Sequence, residues 1–510
     1  MEKILGETQE RRQCGIPLEA IHEEMTKSHL KAGRGPDKPV WIEDPGREKT
    51  DVLDTPLAVD EVRRQLRRLP AYSAPGPDGA TYVHWKRLDP EGKLLTTIMN
   101  VCRKAARIPP SWKASTTVLA YKNKGEEKDL KNWRPICLQN TIYKIYAATI
   151  ARRIASWAIE EEVINRAQKG FLPYEGCFEH IFLLRSCLED ARRKKKRIGV
   201  AWLDLENAFG SVPIDHLLGS MEELGLTGCT LDIVRDIYVD STTRVKIGKA
   251  HTDVVKCRRG VKQGCPLSPI LFDLAMEQLV SGLERGENFG YNVAGGEKVA
   301  ALAYADDLCL LADSAEQLQK MLNRAREFAD WAGLKFRPNK CATLMINNRA
   351  PRHFVEKTTF HMGSGELPSM KWEDHYRYLG CETGRDPRAE TKVAGDKYRR
   401  AAEKILGSQL TDWQKLDAMR RFVRPKLEYI LRTMLPNRSW AKNLDDAVRG
   451  MVKKAFRLPR RTITSFFYVP WKHGGLGLPN VENDLDVGWA SQVYKFLTNK
   501  DPKIVMMSAK

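Results

Sequence analysis

Apolar and polar positions repeat along this chain with two periods, and the switches between them mark out its elements. Val59, Val62, Leu66 and Leu69 recur at helical spacing behind Thr55-Pro56, with a basic opposite face, and predict a helix that stops at Pro70. Helical spacing returns beyond Tyr82 and Trp85 towards Ala106, and again over residues 141–160 and 177–193. The short apolar run Val118–Tyr121 predicts a strand that leads into Lys122-Asn123-Lys124-Gly125, a turn with cations at its tip. From about residue 390 helical periodicity with basic faces dominates, in Trp413, Leu416, Met419 and Phe422 and in Leu444, Val448, Met451 and Phe456, which predicts a separate helical lobe. The first fifty or so residues have little periodicity and are punctuated by Gly and Pro up to Asp44-Pro45-Gly46-Arg47, which predicts a loosely ordered lead-in.

Two apolar ribbons contain acids. Gly199-Val200-Ala201-Trp202-Leu203-Asp204-Leu205 reads as a buried strand with one carboxylate. Residues 301–312, ALAYADDLCLLA, are interrupted only by Asp306 and Asp307; two strands joined by a tight turn would carry both acids at the tip. An ionised carboxylate taken out of water is costly unless it is paired or binds a metal. Asp204, Asp306 and Asp307 therefore have either Lys/Arg partners or divalent cations. Oxygen ligands with no His or Cys nearby suit Mg²⁺, and two such ions about 3.5–4 Å apart would clamp both oxygens of an in-line phosphoryl displacement. That reading requires Asp204 to lie beside the Asp306–Asp307 corner, and requires that a resident cation does not neutralise each acid.

Composition narrows the partners. The 510 residues carry 84 Lys+Arg against 65 Asp+Glu, a net charge of +19, which favours a polyanion, although solubility alone would also account for it. Hydrophobic residues make up 42%, enough for a large core and too many for general disorder. The 11 Cys include no Cys-x-x-Cys pair, which argues against a disulfide framework or a finger-type zinc site and fits a reducing compartment. Cys265 and Cys309 read as small core fillers. No apolar run is long enough to span a bilayer, so no membrane association is expected. The run Arg192-Arg193-Lys194-Lys195-Lys196-Arg197 is either a solvated charge block or a nuclear-import or phosphate-binding segment. Gly474-Gly475-Leu476-Gly477 reads as a turn, since no strand leads into it.

The order of the motifs adds a resemblance. Tyr304-Ala305-Asp306-Asp307 resembles the Tyr-x-Asp-Asp box of reverse transcriptases, and LDLENAF, with Asp204 and Phe209, resembles the first aspartate motif of the same family. NWRPICL (132–138) resembles its fingertip arginine motif, RRGVKQGCPLSPILF (258–272) its Gln-Gly motif, GLKFRPNKC (333–341) its Gly/Lys motif, and Tyr378-Leu379-Gly380 its primer grip. The block APGPDG, the long spacer before Asp204 and QKGFLPYEGCFEH (168–180) resemble non-LTR retrotransposon enzymes. The tail LPRRTITSFFYVPWKHGGLGLP (458–479) resembles the clade that inserts into ribosomal RNA genes. An intron-encoded or retron-like enzyme is the alternative within the family, and a nucleic-acid-binding endonuclease segment or a non-catalytic RNA-binding relic the alternatives outside polymerisation.

The resemblance implies an α+β right-hand polymerase. Residues 1–54 would be the lead-in, 55–198 an N-terminal extension and fingers, 199–385 a palm with an antiparallel sheet, and 386–510 a helical thumb and the start of the region leading to an endonuclease. It implies RNA-directed DNA polymerase activity with two Mg²⁺ ions, or Mn²⁺ in their place, held by Asp204, Asp306, Asp307 and the Leu205 carbonyl. Asp307 would have the supporting role; since adjacent strand residues face opposite ways, it could not duplicate Asp306 unless the turn bent it inward. Lys122 and Arg134 would meet the triphosphate, with Lys124 an equal candidate for the turn. Phe209 would lie under the sugar, though the residue alone reads as core. Gln263 and Gly264 would support the template–nucleotide pair or form a plain turn; Lys340 would protonate pyrophosphate or be a solvated lysine. Tyr378, Leu379 and Gly380 would hold the primer or form an apolar hairpin. The partners implied are an RNA template, a DNA primer or target and dNTPs, in an intracellular, nuclear setting, with oligomeric state open. Two departures stand out: Gly210 replaces the Asp that follows Ala-Phe in the family, and no Cys/His ligand spacing precedes residue 75 or follows 381, as expected of a partial polyprotein.

Overall fold

The computed structural model describes all residues except 1–12, 31–32, 36, 286–288, 294–295, 350–353, 385–387, 435 and 510. Its centre is a five-stranded sheet in the order β12-β11-β3-β10-β9, made of β3 (Arg197–Asp204), β9 (Ala301–Tyr304), β10 (Asp307–Ala312), β11 (Ala342–Asn347) and β12 (Phe354–Val355). Every pairing in it is antiparallel, and β3 lies between β10 and β11. Side chains alternate along a strand, and here the alternation separates two cores. Ala201 and Leu203 of β3 and Leu308 and Leu310 of β10 join a core with Phe272 and Phe328. Val200 and Trp202, with Cys309 and Leu311, join another with Leu184, Leu427 and Ile430. Burial on both faces is why these strands read as continuous apolar ribbons.

A second sheet, order β2-β1-β4-β5 with β6 also on β4, consists of β1 (Ala114–Tyr121), β2 (Trp133–Gln139), β4 (Thr242–Ile247), β5 (Ala250–His251) and β6 (Val255–Lys256). β1 pairs antiparallel with β2 through a turn and parallel with the distant β4. The predicted helices form at Val59–Arg68, Thr141–Glu160 and Gly176–Arg193. The first has Asp60 and Glu61 in its opening turn and Arg67 and Arg68 in its last, complementing the helix dipole, and Glu61 is ion-paired at 2.9 Å with Arg153 of the second. Beyond residue 388 the chain is helical; in Arg438–Ala455 Leu444 and Val448 are buried as their spacing predicts, whereas Met451 is half-buried and Val452 takes its place in the core.

The lead-in is not loose over its described part. Residues 1–12 lie outside the described residues, but Leu18–Ser28 is a helix whose Ile21 and Met25 pack with Cys14, Trp133, Val245 and Val255. The chain after it is irregular yet anchored, with Arg34 bonded to Glu223 at 2.7 Å and Thr50 bridged to Leu226. Arg192, Arg193, Lys194 and Arg197 of the basic run have carboxylate partners in Glu189, Asp190 and Glu356, so that run is largely a compensated surface. The 474–477 glycines form a turn held by Arg420, which bonds the Leu476 and Gly477 carbonyls at 3.0 and 2.8 Å. Among the described residues, no helix is long and apolar enough to cross a membrane.

Glu277, in the helix Ser268–Glu284, is 2% exposed and accepts bonds from the Asn165 amide and the Ser281 hydroxyl. Burial pushes its carboxyl from an ordinary 4.5 up to about 7. Between those values the folded protein holds a proton that the unfolded chain releases. Stability therefore falls as pH rises through this window, and the loss is complete above it. Glu277→Gln is expected to flatten that fall, by about 1–3 kcal/mol between pH 5 and pH 8, read from denaturant unfolding at each pH.

Candidate active site

The three acids converge at one edge of the central sheet. Asp204 ends β3 and Asp307 opens β10, and the two are direct cross-strand partners, so they share a face at the end of the ladder. Asp306 is not in a strand. It stands in the β9–β10 turn, where Ala305 adopts φ +53° and swings the chain round the corner. The turn thus supplies the bend that lets both acids stand at one corner: Asp307, assigned the supporting role, is the acid opposite Asp204, and Asp306 reaches the same corner from the turn.

Their electrostatics are those of under-compensated charge. Desolvation, and then the charges of Asp306 and Asp204, push Asp307 up to about 6. Burial first and the Asp204 charge after it raise Asp306, against the pull of its own backbone amide and of Arg337. Neither has a salt bridge among the described residues. Asp204 does: Arg337 Nε donates to its Oδ2 at 2.6 Å and Arg337 Nη2 donates to the Leu205 carbonyl at 3.2 Å. The sequence reading required that not every acid be neutralised, and one of the three is. Among the described residues no three His, Cys, Asp or Glu side chains stand gathered as a ready ligand set, in keeping with Asp204 bonded to Arg337. The donors nonetheless fit a divalent cation. They are all oxygen, Asp204 and Asp307 are cross-strand neighbours, and Asp306 and Asp307 have no ion-pair partner among the described residues.

Arg337 also belongs to a cluster of cations around Lys122. Lys122 follows β1 and bonds the Lys131 carbonyl at 2.6 Å; Arg134 is exposed on β2, paired with Ala120. Burial, and then the charges of Arg134, Lys340 and Arg337, lower the Lys122 pKa, so the β1–β2 hairpin and the segment 337–340 bring their cations into one field. Lys340 ends the short turn Pro338–Lys340, with its side chain exposed.

The QKGF segment, for which sequence reasoning assigned no role, braces the acidic turn. Gln168 Oε1 accepts from the Ala305 and Gly170 amides, both at 2.8 Å, and the Lys169 amide bonds the Ala303 carbonyl at 2.9 Å. A Cβ on Gly170 would lie 2.4 Å from the Ala305 nitrogen, so no other residue fits there. The buried Lys169 ammonium is held between Glu179 and Asp501, the latter at 2.8 Å. Arg337 was also missed. It lies inside the quoted GLKFRPNKC block, but nothing in that block indicates which acid it meets.

Phe209 is half-buried. Its ring stacks on Phe272 at 4.6 Å and 13° and meets Phe171 edge-on at 5.9 Å. Gln263 and Gly264 do form a turn, and it docks on β2: the Cys137 amide donates to the Gln263 carbonyl at 2.7 Å, and Gly264, at φ +112°, leaves room for the Cys137 carbonyl. Tyr378, Leu379 and Gly380 join β15 (His375–Tyr378) to β16 (Cys381–Gly384), with Leu379 and Gly380 both at positive φ, as a two-residue hairpin requires. Tyr378 is buried, and its hydroxyl bonds the Leu302 carbonyl at 3.1 Å. Its ring is thus an anchor to β9, and only the hairpin tip can meet a ligand. Cys265 and Cys309 are buried and free, as core fillers should be.

Carboxylates converging at the end of a strand ladder, two of them without an ion-pair partner among the described residues, are suited to holding divalent cations. Residues 122–383, more than half the chain, match the family described as reverse transcriptase (RNA-dependent DNA polymerase), and the chain belongs to that family. Its α+β architecture is accordingly that of a right-hand polymerase. It is 29% identical over 435 residues to a retrovirus-related Pol polyprotein from the type-1 retrotransposable element R2 of Nasonia vitripennis, covering 84% of this chain and 40% of that one. Against the corresponding polyprotein from the type-2 element R2DM of Drosophila melanogaster it is 29% identical over 434 residues, covering 83% and 39%. An apo telomerase from Candida Tropicalis aligns at a TM-score of 0.37 with 12% identity, over 84% of this chain and 78% of that one. The chain thus spans about two fifths of the length of those two polyproteins.

Proposed function

We propose that this chain extends a DNA 3′-hydroxyl on an RNA template, as the polymerase portion of a non-LTR retrotransposon protein that inserts by target priming in the nucleus. The observation that carries this reading is the convergence of Asp204, Asp306 and Asp307 at the end of the β3–β10 ladder, with Arg337 bonded to Asp204 and its charge also acting on Lys122. Residues 55–198 would form the fingers with their extension, 199–385 the palm and 386–510 the thumb. Asp204, Asp306, Asp307 and the Leu205 carbonyl would hold two Mg²⁺ ions, for which Mn²⁺ can substitute. Bound there, such ions lower the pKa of a primer hydroxyl and neutralise a departing pyrophosphate.

The chain's own groups do the rest. Arg134 offers a planar fork and Lys122 a point charge to the triphosphate of a dNTP. Lys340, solvent-exposed beside them, can give a proton to pyrophosphate. Phe209 presents a ring face to the sugar, the docked Gln263-Gly264 turn supports the template–nucleotide pair, and the Leu379-Gly380 tip steadies the primer end. The test is extension of a DNA primer on an RNA template by the purified chain, with and without Mg²⁺. Mg²⁺-dependent incorporation of dNTPs supports the reading, and RNA binding without any incorporation refutes it. The electrostatics also separate the two turn lysines. Lys122→Ala is expected to raise the KM for dNTP about tenfold, the loss of one charge-assisted contact, and Lys124→Ala to change it less than about twofold.

A further inference from the structure

Arg337 sits where the proposed function places a cation. Its guanidinium bonds the Asp204 carboxylate at 2.6 Å and the Leu205 carbonyl at 3.2 Å, the two groups at the end of β3 to which that reading gives a metal-holding role. The backbone sets it there. The Arg337 amide donates to the Asp204 carbonyl at 2.9 Å, the Glu206 amide donates to the Lys335 carbonyl at 2.8 Å, and Pro338 begins the short turn that carries Lys340. The pair is neither deeply buried nor free in solvent, with the Arg337 and Asp204 side chains 33% and 28% exposed, so water can reach it and the guanidinium has room to move.

Two charge environments meet at this residue. On one side its charge acts on Asp306, next to Asp204 and Asp307; on the other it acts on Lys122, beside Arg134 and Lys340. An arginine stays charged at any pH the protein survives, so it cannot leave the acids by losing a proton. It can leave only by exchanging one anionic partner for another, and a triphosphate drawn in by the neighbouring cations would be such a partner.

We propose that Arg337 is an internal counter-ion: it occupies Asp204 and the Leu205 carbonyl in the free protein, competes there with divalent cations, and vacates them towards the Lys122–Arg134–Lys340 side when phosphate arrives. The proposal rests on the metal-holding role given above to Asp204, Asp306 and Leu205. It follows that the free protein binds divalent cations weakly, and that cation and nucleotide triphosphate each strengthen the binding of the other.

The test is Mn²⁺ binding to the full chain without nucleic acid or nucleotide, followed by loss of the free-ion electron paramagnetic resonance signal. Asp306→Asn identifies the component that belongs to this site. Arg337→Gln is expected to bind that component about tenfold or more tightly than the wild type, because a resident positive charge within bonding distance has gone. Arg337→Lys keeps the charge but cannot bond both groups at once, and its affinity should fall between the two. Affinities at or below the wild-type value for whichever of these variants folds would overturn the proposal, even though Asp306→Asn still abolishes binding. Mn²⁺ binding that Asp306→Asn leaves unchanged would instead overturn the metal-holding role itself.

Discussion

Asp306→Ala is expected to reduce primer extension at least about a thousandfold, the effect of removing several kcal/mol of charge stabilisation from a phosphoryl transfer. The fold should survive the change. Asp306 lies in a turn, outside the strand ladder, and the turn is held by Ala305 and by Gln168 rather than by the Asp306 side chain. Removing it also relieves repulsion, since the Asp306 charge raises the cost of ionising Asp307. Thermal unfolding of the variant should therefore occur at or above the wild-type temperature while activity is lost. Loss of activity together with loss of folding would point to a structural part for Asp306, and retained extension would reject the acid corner as the reacting site.

Phe209→Val is expected to raise incorporation of ribonucleotides relative to deoxyribonucleotides about ten- to hundredfold, the scale on which one apolar surface discriminates between substrates. The ring is well placed for such a part because it cannot turn aside. It is stacked face to face on Phe272 and abutted edge-on by Phe171, and its own carbonyl accepts from the Val261 amide at 2.7 Å. Valine leaves that surface lower and opens space beside it. The measurement is a competition between the two sugar forms of one base, read as a ratio, so a partly unfolded preparation does not change the answer. An unaltered ratio would return Phe209 to the core.

Much of this was legible in the chain because its strongest local signals are also its deepest structure. β3, β9 and β10 are buried on both faces, so their sequences are apolar without interruption, and an acid inside such a run stands out wherever it occurs. The helices Thr141–Glu160 and Gly176–Arg193 declare themselves by period for the same reason. β1 is longer than its apolar run, because Ser115 and Thr117 are buried as hydrogen-bonded residues, with Thr117 bonded to Thr243 at 2.7 Å across the sheet. The lead-in helix has only Ile21 and Met25 fully buried, too few to set a period. What could not be read was pairing at a distance. Asp204 and Arg337 are separated by 133 residues, and no local pattern says which of many arginines an acid will meet. The brace from Gln168 to Ala305 crosses 137 residues and looks in the sequence like an ordinary loop.

The ion triad around Lys169 has a consequence for how the molecule is made. Lys169 underlies the acidic turn and is 3% exposed, and one of its two carboxylate partners, Asp501, comes 332 residues later. During synthesis the strands that carry the acids emerge from the ribosome long before that aspartate exists. Until the segment capped by Asp501 docks, this lysine carries half its compensation, and an ammonium so enclosed is poorly tolerated. The acidic corner thus reaches its settled form only after Asp501 has been made and its segment has docked.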